Sequence, residues 1–417
     1  MDFIIGWVSV FGYVISGFTS VYYVSIALIG WFRKKPERHI ANPHPHSFAV
    51  IIAAHDESIV IGKTIDSILQ TDYPRDLVDI YIVADNCSDD TAEIARSKGA
   101  IVFERFDNIK VGKGNALSWI FEKIWKVDRV YDAVSIFDAD NLLDKKYFSQ
   151  MNKTLNQGEK VIQGYLDCKN PEDSVLSGCY AITYWLNNRY FQLSRNQMEL
   201  SCGIYGTGFV VKADLMKEIG WESHCLTEDL EFQLRIVDRN IKIAWNHEAI
   251  FFNENPITLK QSFVQRTRWM QGHSACASKF LGGLLKKGFE KRDPIALDTA
   301  VYLIQPYLLS IVWLITIFSI SYWSIMSVLF LNVGYFLTVV KSLLSMEALM
   351  LLYGISLYIE KKLTKKIALY LIFFPFYLFT WLVPIYLGWI RRKQNAWSHT
   401  KHIRAVDVDE IKKQEKI

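Results

Sequence analysis

Two long apolar stretches bracket a charge-rich middle, and this arrangement limits the chain to a membrane-inserted architecture around a soluble unit. The first stretch, Ile4 to Phe32, holds no charged side chain. It is too long for a signal-peptide core of about 7–15 residues. It fits one tilted span, since about 20 residues cross the hydrocarbon. The second stretch, about 298 to 390, divides by length into four spans near 298–320, 322–341, 343–360 and 367–390. Whole-chain figures of 51% hydrophobic and 22% charged residues therefore average over two solvents.

Basic clusters orient these spans. Arg33, Lys34, Lys35 and Arg38 follow the first, and Arg391, Arg392 and Lys393 follow the last. Lys/Arg beside spans mark the cytoplasmic face. The expectation is a multi-pass protein of the plasma membrane, in contact with membrane lipid, with its N-terminus outside and its middle and tail cytoplasmic. An even number of crossings must then separate the middle from the tail. Lys361, Lys362, Lys365 and Lys366 conflict with four crossings, which would put them outside; a re-entrant segment within 322–360 is the competing reading. The net charge of +4 is too small to argue for nucleic acid. The six cysteines form no CxxC pair, so reduced cytoplasmic thiols and no zinc site are expected.

The expected organisation is a membrane helix over 1–35, a soluble domain over 36–256, surface helices over 257–296, C-terminal spans over 297–391 and a tail over 392–417. Residues 36–46 read as a turn-rich linker, with His44 and His46 far better explained as linker than as metal ligands. From Ser47, SFAVIIA, VDIYIVA, AIVFE and DAVSIF read as strands, separated by helical segments; Ile61, Ile65, Ile68 and Leu69 share one helix face. Alternation of this kind predicts an α/β domain with a largely parallel sheet covered on both faces. Ligands of such sheets bind beyond the strand C-termini. Residues 257–290 mix aromatic, aliphatic and basic residues, which suggests amphipathic helices on the membrane surface; a core helix followed by a loop is the plainer alternative. The tail mixes both signs of charge and reads as a solvated peripheral segment.

The strand ends carry the chemistry. Asp85 follows the second strand; Asp138 and Asp140 follow the fourth. A D-x-D pair on extended backbone puts both carboxylates on one face, which suits a divalent ion bridging a diphosphate. Read alone, such a pair is usually only a loop. Lys113, between Gly112 and Gly114 at a helix start, could reach a phosphate or mark only a turn. Thr227 is placed to cap a helix whose first turn holds Glu228 and Asp229. Gln265, Arg268 and Trp269 lie in the surface-helix region. Arg268 could clamp a diphosphate. Trp269 could stack on a sugar or anchor the helix at the interface.

In this order the motifs resemble the processive family 2 glycosyltransferases, the group containing cellulose, hyaluronan and poly-N-acetylglucosamine synthases. The resemblance runs from about Phe48 to Trp269. Asp85 stands at the first conserved aspartate, Asp138 and Asp140 at the D-x-D, Asp229 in T-E-D, and Gln265, Arg268 and Trp269 in Q-x-x-R-W. Two departures touch base or sugar preference: Ala84-Asp85-Asn86-Cys87 where Asp-Asp-Gly-Ser is common, and His55 before Glu57 where Pro-x-Tyr-Asn-Glu is usual.

The resemblance implies a GT-A fold (Rossmann-like), a UDP-sugar donor and a growing polysaccharide acceptor. It implies Glu57, Asp85, Lys113, Asp138, Gln265 and Arg268 at the nucleotide-sugar, and Mg2+ or Mn2+ on Asp140. Asp229 would be the catalytic base of an inverting transfer, with Glu228 and Trp269 at the acceptor. Glucose is expected over N-acetylglucosamine as the sugar, giving a β-linked polymer that the spans translocate. No domain for a cyclic dinucleotide follows the last span, so that form of activation is not expected. The alternatives are a synthase adding one sugar to a lipid, and a non-catalytic scaffold or export channel.

Overall fold

The computed structural model describes residues 2–32, 43–222, 224–330, 333–394 and 402–414. The basic cluster Arg33 to Arg38 and the linker before Pro43 lie outside the described residues. The remainder of the linker is held in place. The His46 ring bonds Asn152 Oδ1 at 2.7 Å, and the His44 ring packs on it at 4.2 Å.

One eight-stranded sheet organises the middle of the chain. Its strands are β1 (Phe48–Ala54), β2 (Val78–Asp85), β3 (Ile101–Arg105), β4 (Ala133–Asp138), β5 (Leu142–Leu143), β6 (Val161–Cys168), β7 (Phe209–Lys212) and β8 (Ala244–Asn253). Their order is β3-β2-β1-β4-β7-β6-β8-β5. The four strands expected from sequence pair in parallel as β3-β2-β1-β4. Strand β7 then runs antiparallel between β4 and β6, so the sheet is mixed. Period-two alternation explains its burial on both faces. Phe48, Val50 and Ile52 enter one apolar cluster, and Ala49 and Ile51 enter the other.

Helices cover the sheet as their apolar faces dictate. In the helix Ile61–Leu69, Ile61, Ile65 and Ile68 are buried. The helix Lys113–Ile124 starts from Gly112 at φ +100°, a conformation that only glycine adopts readily. The region expected to hold several surface helices is one helix, Leu259–Glu290. Ser262, Arg266, Met270, His273, Ala277, Leu284 and Gly288 form its buried stripe at helical spacing.

The apolar ends are helical: Asp2–Phe32, Pro294–Phe330, Val333–Ile359, Lys365–Phe379 and Leu382–Ile390. Among the described residues, three stretches are long and apolar enough to cross a membrane: Val10–Phe32, Pro294–Leu329 and Lys365–Ile390. The break expected near residue 321 is absent, because Ser321 and Tyr322 offer no helix-breaking residue and a helix satisfies its own backbone in lipid. The 37 residues of Pro294–Phe330 extend about 55 Å. That exceeds a hydrocarbon core of about 30 Å, so one end stands clear of it. At the near end, Asp298 pairs with the fully buried Arg195 through two bonds, of 2.8 and 2.9 Å, and also accepts from the Tyr22 hydroxyl. This cluster ties the N-terminal helix, the sheet domain and the helix Pro294–Phe330 together.

The basic loop that conflicts with four crossings lies against the sheet domain. Lys362 Nζ meets Asp167 Oδ2 at 2.6 Å, Arg189 meets Glu360 at 2.9 Å, and Lys366 meets Glu172 at 3.4 Å. The far end of Lys365–Ile390 lies on the helix Leu259–Glu290, where Gln271 Nε2 donates to the Arg391 carbonyl at 3.4 Å.

The tail is not a solvated segment. Val408 and Ile411 are buried against Leu142 and Phe252, and Asp407 pairs with Lys63 at 2.9 Å. Two apolar side chains in a charged stretch are enough to seat it on an exposed apolar patch at the β5–β8 edge.

Candidate active site

The loops after β1, β2, β4 and β8 converge beyond the strand C-termini. Glu57 follows β1, and its backbone N–H donates to Thr91 Oγ1 at 2.8 Å. Asp85 closes β2 and is held by Arg105 at 2.5 Å. Asp138 closes β4, where its N–H donates to Asn141 Oδ1 and Thr207 Oγ1, both at 3.0 Å. The D-x-D is not extended as expected: the chain turns at Ala139-Asp140, and both Asp138 and Asp140 line the cleft. Asp140 Oδ2 accepts from the Glu254 N–H at 2.9 Å.

Lys113, the first residue of its helix, reaches Asp138 with its ammonium and donates to the Gly206 carbonyl at 2.8 Å. Gly206 has φ +78°, and a Cβ there would stand 3.0 Å from Asp229 Oδ2, so glycine lets the loop close on that carboxylate. Asp229 is in the first turn of the helix Glu228–Asp238. Thr227 occupies the cap position but makes no capping bond; its hydroxyl faces Cys276 instead. Gly272 abuts Thr227, where any side chain would collide at 2.4 Å. Glycine thus seats the Thr227-Glu228-Asp229 turn on the long helix that carries Gln265, Arg268 and Trp269.

All the site residues expected from sequence line this one cleft: Glu57, Asp85, Lys113, Asp138, Asp140, Glu228, Asp229, Gln265, Arg268 and Trp269. The empty space in the cleft, counted out into open solvent at its mouth, is about 1280 Å³. Gln265 Oε1 is buried with no hydrogen-bond partner among the described residues, so a ligand hydroxyl has an acceptor waiting. Trp269 stacks on Trp381, with ring centroids 6.3 Å apart. The neighbouring Arg266 is fully buried and donates to Thr380 Oγ1 at 2.8 Å. It braces the break between the last two apolar helices and is not a cleft residue.

Sequence reasoning missed Tyr184, Tyr205, Glu254 and His402, which also line the cleft. The strand-end rule would have found Glu254, since β8 stops at Asn253. His402 gave no local signal. It reaches the cleft from the tail and bonds Glu57 Oε1 at 2.8 Å. The nearby Asp56, Cys87 and Asp89 bring ligand-capable atoms within 4.8 Å of one another. Their carboxylates already accept from Ser88, Ser58 and Thr91.

The electrostatics divide the acids into two kinds. Burial would lower the His402 imidazole, but Asp140, then Glu57 and Glu254, raise it to about 9. Burial would raise the Asp140 carboxyl, but His402, Lys169 and the Glu254 N–H hold it below the usual range. Asp229 goes the other way: burial, reinforced by the charge of Glu228, pushes its carboxyl up to about 7. A carboxylate near neutrality is matched to taking up a proton. Glu57, Asp138, Asp140 and Glu254 line the cleft with carboxylate oxygens, the hard donors that suit Mg2+ or Mn2+, whereas the His402 imidazole, raised to about 9, is protonated near neutral pH and offers no ligand.

A pH experiment follows. The acid limb of turnover should fall near pH 7, with activity gained as Asp229 ionises. In Glu228→Gln the like charge is gone, so the limb should move to lower pH by on the order of one unit. A pH–rate profile of both enzymes checks this, and an unmoved limb contradicts it.

The mixed sheet, with carboxylates at the ends of β2 and β4 and a further carboxylate across the cleft, is the GT-A arrangement of a glycosyltransferase. The chain belongs to the glycosyltransferase like family 2, whose model matches residues 44–272. It is similar to the probable glycosyltransferase YdaM of Bacillus subtilis, at 27% identity over 81% of this chain and 80% of the relative. It is also similar to the poly-β-1,6-N-acetyl-D-glucosamine synthase of Staphylococcus epidermidis, at 24% identity over 86% of this chain and 87% of that one. Among solved structures, the mannosyltransferase PcManGT of Pyrobaculum calidifontis, determined with GDP-Man and Mn2+, shares the fold. The TM-score is 0.62 and the identity 15%, over 94% of this chain and 100% of that one.

Proposed function

We propose that the protein is a membrane-embedded, inverting glycosyltransferase that polymerises a UDP-sugar into a β-linked polysaccharide. The observation that carries this reading is the gathering of Asp85, Asp138, Asp140 and Asp229 with Lys113, Arg268 and Trp269 around one cleft. Glucose was the expected sugar. Nothing in the cleft favours it over its 2-acetamido counterpart, and relatives matching along most of both chains are poly-N-acetylglucosamine synthases. UDP-N-acetylglucosamine is therefore the donor we put first.

Asp85 reads the base, and Lys113 and Arg268 set positive charge against the pyrophosphate. Asp140, with Glu254 beside it, would hold Mg2+ or Mn2+, which would supply further positive charge to the departing UDP. Asp229 accepts the proton of the acceptor hydroxyl. The freed oxygen forms its bond to the anomeric carbon as the bond from that carbon to the β-phosphate oxygen breaks, and the electron pair leaves with UDP. A single displacement inverts an α-linked donor to a β-linked product. Glu228 and Trp269 hold the acceptor, Trp269 by offering its face to a sugar ring.

The membrane arrangement in this reading draws on the contacts of the last apolar segment. The near end of Lys365–Ile390 lies against the sheet domain and its far end against the helix Leu259–Glu290, which supports a segment that rests on the cytoplasmic face without crossing. With Pro294–Leu329 as one crossing, a second through the helix Val333–Ile359, of which Met350–Ile359 is a short apolar part, would give the even number that a cytoplasmic basic loop needs.

Membranes carrying the protein should convert UDP-N-acetylglucosamine, in the presence of Mn2+, into a product that grows by many units. A hexosaminidase specific for β-linkages should degrade it. A product holding one sugar on a lipid would replace the polymer reading with the glycolipid one. No transfer from any UDP-sugar would remove both.

A further inference from the structure

We infer that Arg105 selects the nucleobase, by leaving Asp85 one hydrogen-bonding oxygen in place of two. This rests on the donor-site reading of the cleft. Arg105 is 5% exposed and sits at the end of β3, beside the end of β2. Its Nη1 donates to Asp85 Oδ1 at 2.5 Å. Its Nη2 donates to Asp107 Oδ2 at 3.0 Å and to the Lys110 carbonyl at 2.6 Å, so the guanidinium is fixed at three points. Asn86, at φ +52°, adds a second donor to the same Asp85 oxygen at 3.2 Å, and its amide is anchored in turn by the Asp107 backbone. Both lone pairs of Oδ1 are then engaged. Asp85 Oδ2 accepts no hydrogen bond among the described residues, and Asp85 lines the cleft. The His55 ring, bonded to the Asp85 carbonyl at 2.7 Å, holds the strand end in register.

Base chemistry gives this geometry its consequence. Guanine presents N1–H and its exocyclic amine side by side, two donors that a carboxylate matches only with both oxygens. Uracil presents a single N3–H between two carbonyls, and one oxygen suffices. A site with one acceptor leaves the guanine amine desolvated and unpaired, which costs about tenfold or more in affinity. Arg105 is a specificity-determining residue that acts through Asp85 and need not touch the base.

The test is equilibrium binding to the purified full-length protein in detergent with Mn2+ at pH 8. The wild type should bind UDP at least tenfold more tightly than GDP. It should bind GDP no more tightly than IDP, which lacks the exocyclic amine, and N3-methyl-UDP at least tenfold more weakly than UDP. In Arg105→Gln the second oxygen is released, and GDP should gain tenfold or more over IDP. A wild type that prefers GDP to UDP overturns the UDP-donor reading itself. A wild type that prefers UDP but binds GDP tenfold better than IDP, or N3-methyl-UDP as well as UDP, overturns only the role of Arg105. So does an unchanged GDP-to-IDP ratio in Arg105→Gln. The wild-type arms decide the matter if that variant does not fold.

Discussion

Asp229→Asn binds UDP as the wild type does and transfers sugar about 10²–10⁴-fold more slowly, the usual contribution of a positioned base. The substitution keeps the shape of the side chain and the close approach of Gly206 to it. It removes the oxygen that takes the proton, together with the charge of its ionised form. Asp229 and Asp85 line the same cleft from different elements, the helix Glu228–Asp238 and the end of β2, so the nucleotide half of the donor should not register the change. Steady-state transfer and UDP affinity, measured on the same preparation, separate the two effects. Turnover within tenfold of wild type would take Asp229 out of the base role.

Asp298→Asn destabilises the protein by about 3–5 kcal/mol, the penalty for leaving a buried charge without its partner. Arg195 is fully buried and its bidentate partner is Asp298. Its remaining Nη1 atom is buried with no acceptor among the described residues, so no spare contact absorbs the loss. The guanidinium lies on the Phe191 ring at 3.6 Å, which gives it a stacking surface but no counter-charge. The cluster also bonds Tyr22 of the N-terminal helix, so the substitution should loosen that helix from the rest. Thermal unfolding in detergent checks the prediction. The double variant Arg195→Met with Asp298→Leu should recover most of the loss, because replacing both partners by apolar groups removes the orphaned charge.

The parts legible in the sequence were those written in local periodicity. Strands β1 to β4 are near-continuous apolar runs ending in Glu57, Asp85 and Asp138, and the strand-end rule located the cleft from them. Strand β6 carries Gln163 and Asp167 inside a fully buried stretch, and each is satisfied by a distant partner, Thr207 and Trp185 among them. Those polar residues broke the apolar pattern, so the strand did not show. Strand β7 has four residues and forms by tertiary pairing between β4 and β6. The same holds for His402 and Glu254, which come together at Asp140 only because the tail folds back across the β5–β8 edge. Period counting also failed in the apolar C-terminal region. There every residue type suits a helix, and it is contacts such as Lys362 with Asp167, which no local pattern signals, that seat the basic loop on the sheet domain.

The most direct measurement is an experimental structure of the full chain with UDP and Mn2+ bound. The account predicts the uracil at Asp85 Oδ2, the ion on Asp140 and the pyrophosphate between Lys113 and Arg268, with Asp229 facing the vacant sugar position. A nucleotide bound elsewhere, or an ion that leaves Asp140 uncoordinated, would contradict it.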